Sequence, residues 1–284
     1  MTASGPFSDK APDASGNQAS EPDAVKPNFP HPITPEGIAA YAGEKRVFFT
    51  ATIAVFAILC SFCISVMVNR CLIQPLNLAI GRLPAQGAIS NGVLVWFTNE
   101  HTVLIETRSV SIHVNPSNEE PIADSADLQV VFCKDKLLLR SLFGWLTIPY
   151  PKSLNLPLNY NELWTVWGAY RTAIIPVVFF ITSFFIPLVW ITLGTIYKIP
   201  VALMSKVLKR KVDSKGIFRI STMSQMLPAA IMCAGILLYS FYKIDITTLL
   251  IIFAIHIPLG WIYLFITPFY LPKIPEEAYN PFKV

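Results

Sequence analysis

Charge is what this sequence has least of. Only 14% of its 284 residues are Asp, Glu, Lys or Arg, while 53% are hydrophobic. A soluble globular chain carries about 25% charged residues. About half of any folded surface stays exposed, so a soluble fold of this size has nowhere to hide so much apolar area. The mean hydropathy of +0.51 points the same way. A soluble protein is therefore excluded, and lipid becomes the expected solvent. The net charge of +4 is mild. Nucleic-acid binding uses a concentrated basic face, which this chain lacks, so the expected partner of its basic residues is membrane lipid.

Histidine is scarce too, with four in the chain, and the five cysteines do not form a framework. Cys60, Cys63 and Cys233 fall inside apolar runs, where cysteine behaves as a small hydrophobe. Cys60-x-x-Cys63 has redox-motif spacing without a thioredoxin-like pattern around it. Cys71 and Cys133 both fall in the segment between the first two apolar runs. A disulfide between them is chemically permitted, with two unpaired thiols as the alternative. No cleavable signal peptide is visible, because the first apolar run starts near residue 47 and is long enough to span. The only sequon-like triplet, Asn115-Pro116-Ser117, is blocked by its proline. That favours a bacterial cytoplasmic (inner) membrane over a secretory one.

Four long apolar runs are present. Residues 47–68, 172–197, 220–242 and 246–272 are each bounded by charge. A helix rises about 1.5 Å per residue, so about 20 residues cross a hydrocarbon core of about 30 Å. Backbone groups in lipid must be satisfied internally, so each run is expected to be helical. Pro176, Pro187, Pro228 and Pro258 should then kink their helices. Trp164, Trp167, Tyr170, Tyr239 and Tyr242 sit at the run ends, where headgroups favour rings with a polar edge.

Orientation follows from Lys and Arg. Eleven lie on one side: Lys45, Arg46, the seven between Lys198 and Arg219, Lys273 and Lys283. Five (Arg70, Arg82, Lys152, Arg171 and Lys243) lie near the other face. Both termini are thus expected in the cytoplasm. The expected fold class is an α-helical membrane protein of four transmembrane helices, with a small β-rich extracytoplasmic domain inserted between the first and second. Its expected segments are a disordered tail at 1–33, a juxtamembrane helix and first span at 34–69, the insert at 70–171, three spans within 172–272, and a tail at 273–284.

Within the tail region, Thr34-Pro35-Glu36 is a helix-start signal. The insert reads as five or six mostly antiparallel strands. Residues 92–97 form a strand, and Val110, Ile112 and Val114 alternate with Ser109, Ser111 and His113. A turn or bulge is expected near Thr107. A hairpin is expected about residues 133–136, with another strand at 145–150. In the cytoplasmic loop 198–219, residues 201–212 place Val201, Leu203, Met204, Val207 and Leu208 opposite Lys206, Lys209 and Arg210. This predicts an amphipathic helix lying on the membrane, with Lys206, Lys209, Arg210 and Lys211 as a lipid-facing basic patch worth about 1 kcal/mol per residue.

Catalytic chemistry is hard to find. Transporters and intramembrane enzymes place ionisable groups in their spans. Here His256 is the only one, and an interhelical hydrogen bond is its expected role. His101, His113, Glu100, Glu106 and Cys133 include zinc-ligand types, but His101 and His113 are twelve residues apart and His113 falls on the polar side of its strand. No catalytic, metal or cofactor-binding residue is expected, and no enzyme.

Two stretches carry a resemblance. Ile89-Ser90-Asn91-Gly92-Val93-Leu94 opens the insert, and a basic segment precedes residues 220–228 at the third span. With the order of helix, insert and three helices over residues 45–270, they resemble a bacterial family of uncharacterised inner-membrane proteins associated with maltodextrin utilisation, and the wider Yip-type membrane superfamily. Yip-type proteins have five spans and this chain shows four. The resemblance implies a non-enzymatic role in trafficking, assembly or regulation and supplies no catalytic residues. The expected function is partner binding, assembly or sensing through the insert, with another membrane or extracytoplasmic protein as partner. The alternative is a transporter or an accessory subunit of a transport complex.

Overall fold

The computed structural model of the protein describes residues 29–117 and 125–274. Most of the expected disordered tail at 1–33, and most of the tail at 273–284, lies outside these residues. Residues 29–33 touch the helices while Phe29 and Ile33 stay largely exposed: Phe29 meets Phe48 edge to face, and the Tyr263 hydroxyl donates to the Ile33 carbonyl.

Helix α1 (Pro35–Ala40) starts where the sequence signals it. The Thr34 hydroxyl accepts from the Gly37 amide at 3.2 Å and Pro35 opens the first turn. It stops at Ala40, well before Lys45. Helix α2 (Arg46–Val68) continues through a π-helical turn (Asn69–Ile73) into α3 (Gln74–Gly81). Helix α4 (Tyr160–Val207) has 48 residues, roughly 72 Å at 1.5 Å each. Helices α5 (Ser214–Met223) and α6 (Met226–Ser240) are two pieces of the third apolar run, and α7 (Ile246–Ile266) ends in a 3-10 turn (Thr267–Tyr270). Arg46–Gly81, Tyr160–Val207, Ser214–Ser240 and Ile246–Tyr270 are four helical stretches long and apolar enough to cross a membrane. They are compatible with a multi-pass membrane protein.

Of the four prolines expected to kink helices, Pro228 does not lie in a helix interior. Pro176 and Pro187 lie inside α4 and Pro258 inside α7. Pro228 falls in the first turn of α6, where its missing amide is harmless; the chain breaks ahead of it, at Ser224–Gln225. The Gln225 side chain donates to the Trp190 and Ser221 carbonyls, and the Ser221, Thr222 and Ser224 hydroxyls bond back to carbonyls four residues earlier. The polar groups at the break are thereby satisfied inside the bundle.

Between α3 and α4 the described residues form eight strands in two sheets. Strands β1 (Gly87–Ser90), β2 (Val93–Trp96) and β8 (Asn155–Pro157) form one, in the order β2-β1-β8. Asn91 and Gly92, both with positive φ, make the two-residue turn between β1 and β2. Strands β3 (Thr102–Glu106), β4 (Val110–Asn115), β5 (Leu128–Cys133), β6 (Lys136–Ser141) and β7 (Gly144–Pro149) form the other, in sequence order. All pairings are antiparallel except β4 with β5. The Thr107 amide bonds the Val110 carbonyl in the expected turn, while the bulge lies earlier, between Val103 and Ile105. Strand β4 is buried along its whole length, so the expected polar face of Ser111 and His113 is covered.

Two apolar cores result. One joins α1, α2 and α4–α7 around Ile53, Trp190, Ile220 and Met223. The other lies in the β domain around Ile89, Leu94, Ile112 and Val114, and takes in Ala79 of α3 with Leu163 of α4 packed against it. In the bundle, α5 approaches α4 at Gly194, where an added Cβ would stand 2.1 Å from the Thr222 hydroxyl and 3.3 Å from its Cα. Gly194→Val therefore overpacks this contact and is expected to cost about 1–3 kcal/mol. Gly168→Ala, with open space around it, should be neutral. Thermal stability of the full chain in detergent, read by size-exclusion recovery after heating, separates the two.

Candidate functional site

The expected basic patch is not assembled as a patch. Residues 201–207 are the last turns of α4, with Val201 and Ser205 buried in the bundle. The helix stops at Val207, and Lys209 takes a left-handed conformation (φ 50°) that reverses the chain. The following residues pair with the segment after α7: Arg210 bridges Lys273, the Lys211 amide donates to the Pro272 carbonyl, and the Ile274 amide donates to the Lys209 carbonyl. The Arg210 guanidinium donates to the Leu271 carbonyl at 2.6 Å. Lys206, Lys209 and Lys211 are exposed, but the four cations do not share a helical face. The separate amphipathic helix over 201–212 is thus replaced by a helix end and a two-chain turn.

The Cys71–Cys133 pair does not form. Both thiols are free. The Ser109 hydroxyl donates to the Cys71 carbonyl at the start of β4, whereas Cys133 is in register with Asn115 at its end. Six residues of strand separate them, roughly 20 Å, and a disulfide needs Cα atoms within about 7 Å. Burial pushes the Cys133 thiol up, which keeps it protonated and inert. Cys60 faces Cys233 across α2 and α6, with their sulfurs 3.1 Å apart, and both are free and buried. The C-x-x-C spacing therefore serves helix packing, with Cys60 turned to another helix rather than to Cys63.

The two histidines of the β domain are brought together, contrary to the sequence reading. His113 Nδ1 lies 3.2 Å from His101 Nε2, and the rings stack at 5.1 Å. Val103 is the register partner of His113, and His101 lies two residues from it on the same face. Diagonal neighbours of this kind reach each other in a hairpin. Hairpin register about the Thr107 turn was the signal that could have found the pair. His113 is 5% exposed and Asn115, two residues on, is buried as well. Among the described residues, no three His, Cys, Asp or Glu side chains are grouped to hold a metal ion. Glu100, Glu106 and Cys133 do not complete a ligand set with the two imidazoles. His256 makes its hydrogen bond within its own helix, to the Phe253 carbonyl, instead of across helices. It also lines an apolar cavity of about 290 Å³ between α2, α4, α6 and α7.

Among the described residues, the β domain exposes apolar side chains on β2, at Val103 of β3 and along β7 at Trp145, Leu146 and Ile148, with the largest exposure about β2 and at the β6–β7 turn. Strand β2 is an edge strand, and it turns Val93, Val95 and Phe97 outward while Leu94 is buried. The Leu94 amide donates to the Lys134 carbonyl, so this stripe sits at the β5–β6 turn. The second place is the β6–β7 turn, where Phe143 is 82% and Trp145 74% exposed. That turn is at the opposite end of the sheet. Ser141 pairs with Leu128, and Leu142 lines a small cleft with Asp127 and Ile246 of α7. The Tyr239 hydroxyl of α6 donates to Asp127 at 2.7 Å, and Arg108 donates to the Tyr242 carbonyl. The Phe143–Trp145 end therefore stands level with the ends of the apolar helices, and the Val95 stripe stands away from them.

Burial, and then the positive field of His113, hold the His101 imidazolium below its usual range. An unfolded chain takes up this proton as pH falls through about 6.5, the folded domain only lower. Between those values the unfolded chain binds more protons, so the domain loses stability as pH falls from about 6.5. Thermal melts of the full chain at pH 7.5 and 5.5 should show that loss, and His101→Gln should reduce it.

No family model, no curated protein and no solved structure matches this chain.

Proposed function

We propose that the chain is a non-enzymatic, multi-pass protein of the bacterial cytoplasmic membrane whose β domain lies outside and binds a partner protein. The observation that carries this reading is the Val93, Val95 and Phe97 stripe. Exposed apolar residues on the helices, and Phe143 with Trp145 beside the helix ends, fit lipid and headgroup contact. Lipid cannot reach the Val95 stripe, because the length of β5 and β6, roughly 20 Å, stands between it and the helix ends. An outward apolar row on a domain surface away from lipid offers a contact face to another protein. The reading keeps both termini on the Lys- and Arg-rich side, and membrane lipid as the second partner.

One observation favours transport or an accessory role in it: His256 faces the apolar cavity among four helices. Flux in proteoliposomes that His256→Ala removes would support that alternative.

Topology is tested with single cysteines placed in a variant lacking the native five. Glu100→Cys should react with a membrane-impermeant maleimide in intact cells, and Lys211→Cys only after permeabilisation. The reverse pattern would invert the orientation. For the partner, a photo-crosslinking residue at position 95 should give a discrete adduct in native membranes. Val93→Lys with Phe97→Lys should abolish it while the protein keeps its elution profile. An adduct at twice the chain mass would make the partner a second copy. Absence of any adduct at 95, with labelling elsewhere on the domain, counts against partner binding by this strand.

A further inference from the structure

At the end of the bundle away from the β domain, α2, α4 and α5 enclose a crevice of about 860 Å³. Its lining carries four cations from three helices: Arg46, Lys198, Lys215 and Arg219. Among the described residues, no carboxylate lines it. Two carboxylates flank it in sequence without lining it: Glu44 accepts from the Lys45 amide and Asp213 from the Gly216 amide. Arg219 is held in place by donating to the Ala42 and Glu44 carbonyls. The first turn of α2 has neither a side-chain cap nor an acidic residue, so its amides add partial positive charge at the same rim.

The rest of the lining is apolar, through Phe49, Ile53, Pro187 and Phe218. Polarity changes along the crevice. Arg46 to Ala54 on α2 is eight residues, roughly 12 Å, and Lys198 back to Pro187 on α4 is eleven, roughly 16 Å. The cations lie at one end of both lines and the apolar residues at the other. A free inorganic anion would use the cations and leave the apolar part empty. An amphiphile with an anionic head and a hydrocarbon tail uses both.

We infer that this crevice is a binding site for one anionic phospholipid, its phosphate held by Arg46, Lys198, Lys215 and Arg219 and the start of an acyl chain lying between α2 and α4. The inference rests on the membrane reading of the helices and is independent of partner binding by the β domain. It also differs in place from the patch expected at Lys206, Lys209, Arg210 and Lys211, none of which lines the crevice.

The test is native mass spectrometry of the full chain in mild detergent, with phosphatidylglycerol or phosphatidylcholine added. One phosphatidylglycerol per chain should be retained, and phosphatidylcholine should be lost. Lys198→Ala with Lys215→Ala should lower the retained fraction about 10- to 30-fold, since each basic residue contributes roughly a factor of five. Lys206→Ala with Lys211→Ala removes the same charge from the same end and should change it less than about twofold. Lys215 is exposed and Lys198 half-buried, so both double variants are expected to fold, which equal melting temperatures would verify. Equal losses in the two double variants would overturn the site in favour of diffuse surface charge. Equal retention of phosphatidylcholine would reduce it to an apolar slot. Displacement of the lipid by inorganic phosphate would make it a free-anion site.

Discussion

Everything in this molecule hangs on two helices that do not stop where the apolar runs stop. Helix α2 passes through the Asn69–Ile73 π-turn into α3, and α4 begins at Tyr160, twelve residues before its apolar run. These extensions are not free stalks. Asn77 of α3 accepts from Trp167 and Arg171 of α4, and Ala79 and Leu163 belong to the apolar core of the β domain. The domain core is thus partly built from the same two helices that cross the bundle. Ser109, Arg108 and Asp127 then pin the near ends of β4 and β5 to Cys71, Tyr242 and Tyr239. Arg70, at the same level, stacks on Phe241 with its guanidinium carbon 4.4 Å from the ring centre. A domain attached through a shared core and these polar contacts moves with its helices.

The helices themselves divide by burial. In the most apolar 18-residue stretch of α4 only 6% is buried, against 61% in the broken α5–α6 stretch. The interior piece is therefore the third apolar run, and it is the one carrying Gln225 and a break. Irregular backbone at membrane depth survives only where protein covers it. The exposed piece, α4, stays helical through Pro176, Pro187 and Pro200 and puts Thr182, Thr192 and Thr195 hydroxyls on carbonyls one turn back. Position relative to lipid thus decides which helix can afford a break.

What was legible in the sequence follows from the same physics. Apolar runs of about 20 residues announce themselves, so the four long apolar helices could be read. Their extensions could not, because 74–81 and 160–171 contain Pro75, Asn161, Glu162 and Arg171, and their helicity comes from packing on the β domain. Strand β8 was hidden inside the proline-rich return, and β1 was missed although Asn91-Gly92 is a hairpin signal. Alternation assigned His113 to solvent because period-2 reasoning assumes one open face, and a central strand such as β4 has none. The basic patch failed for a related reason. A helical wheel over 201–212 presumes a helix that continues, whereas Lys209 ends it. The cations that do converge lie at positions 46, 198, 215 and 219, a spacing to which no local pattern is sensitive.

The two ends of the molecule therefore ask for different neighbours. Phe143 and Trp145 need nothing beyond the headgroup zone, since their turn stands beside the ends of α6 and α7. The cation-rimmed crevice at the other end needs charge of opposite sign, and a leaflet of anionic lipid supplies it with a chain for the apolar part. The Val93, Val95 and Phe97 stripe stands away from both of these lipid contacts. If the membrane satisfies the bundle and its rims, a protein contact is the remaining way to bury that edge. A partner there would act on a domain fixed to the helices, so its binding energy would be felt along α2 and α4, the two helices that also wall the crevice at the far end.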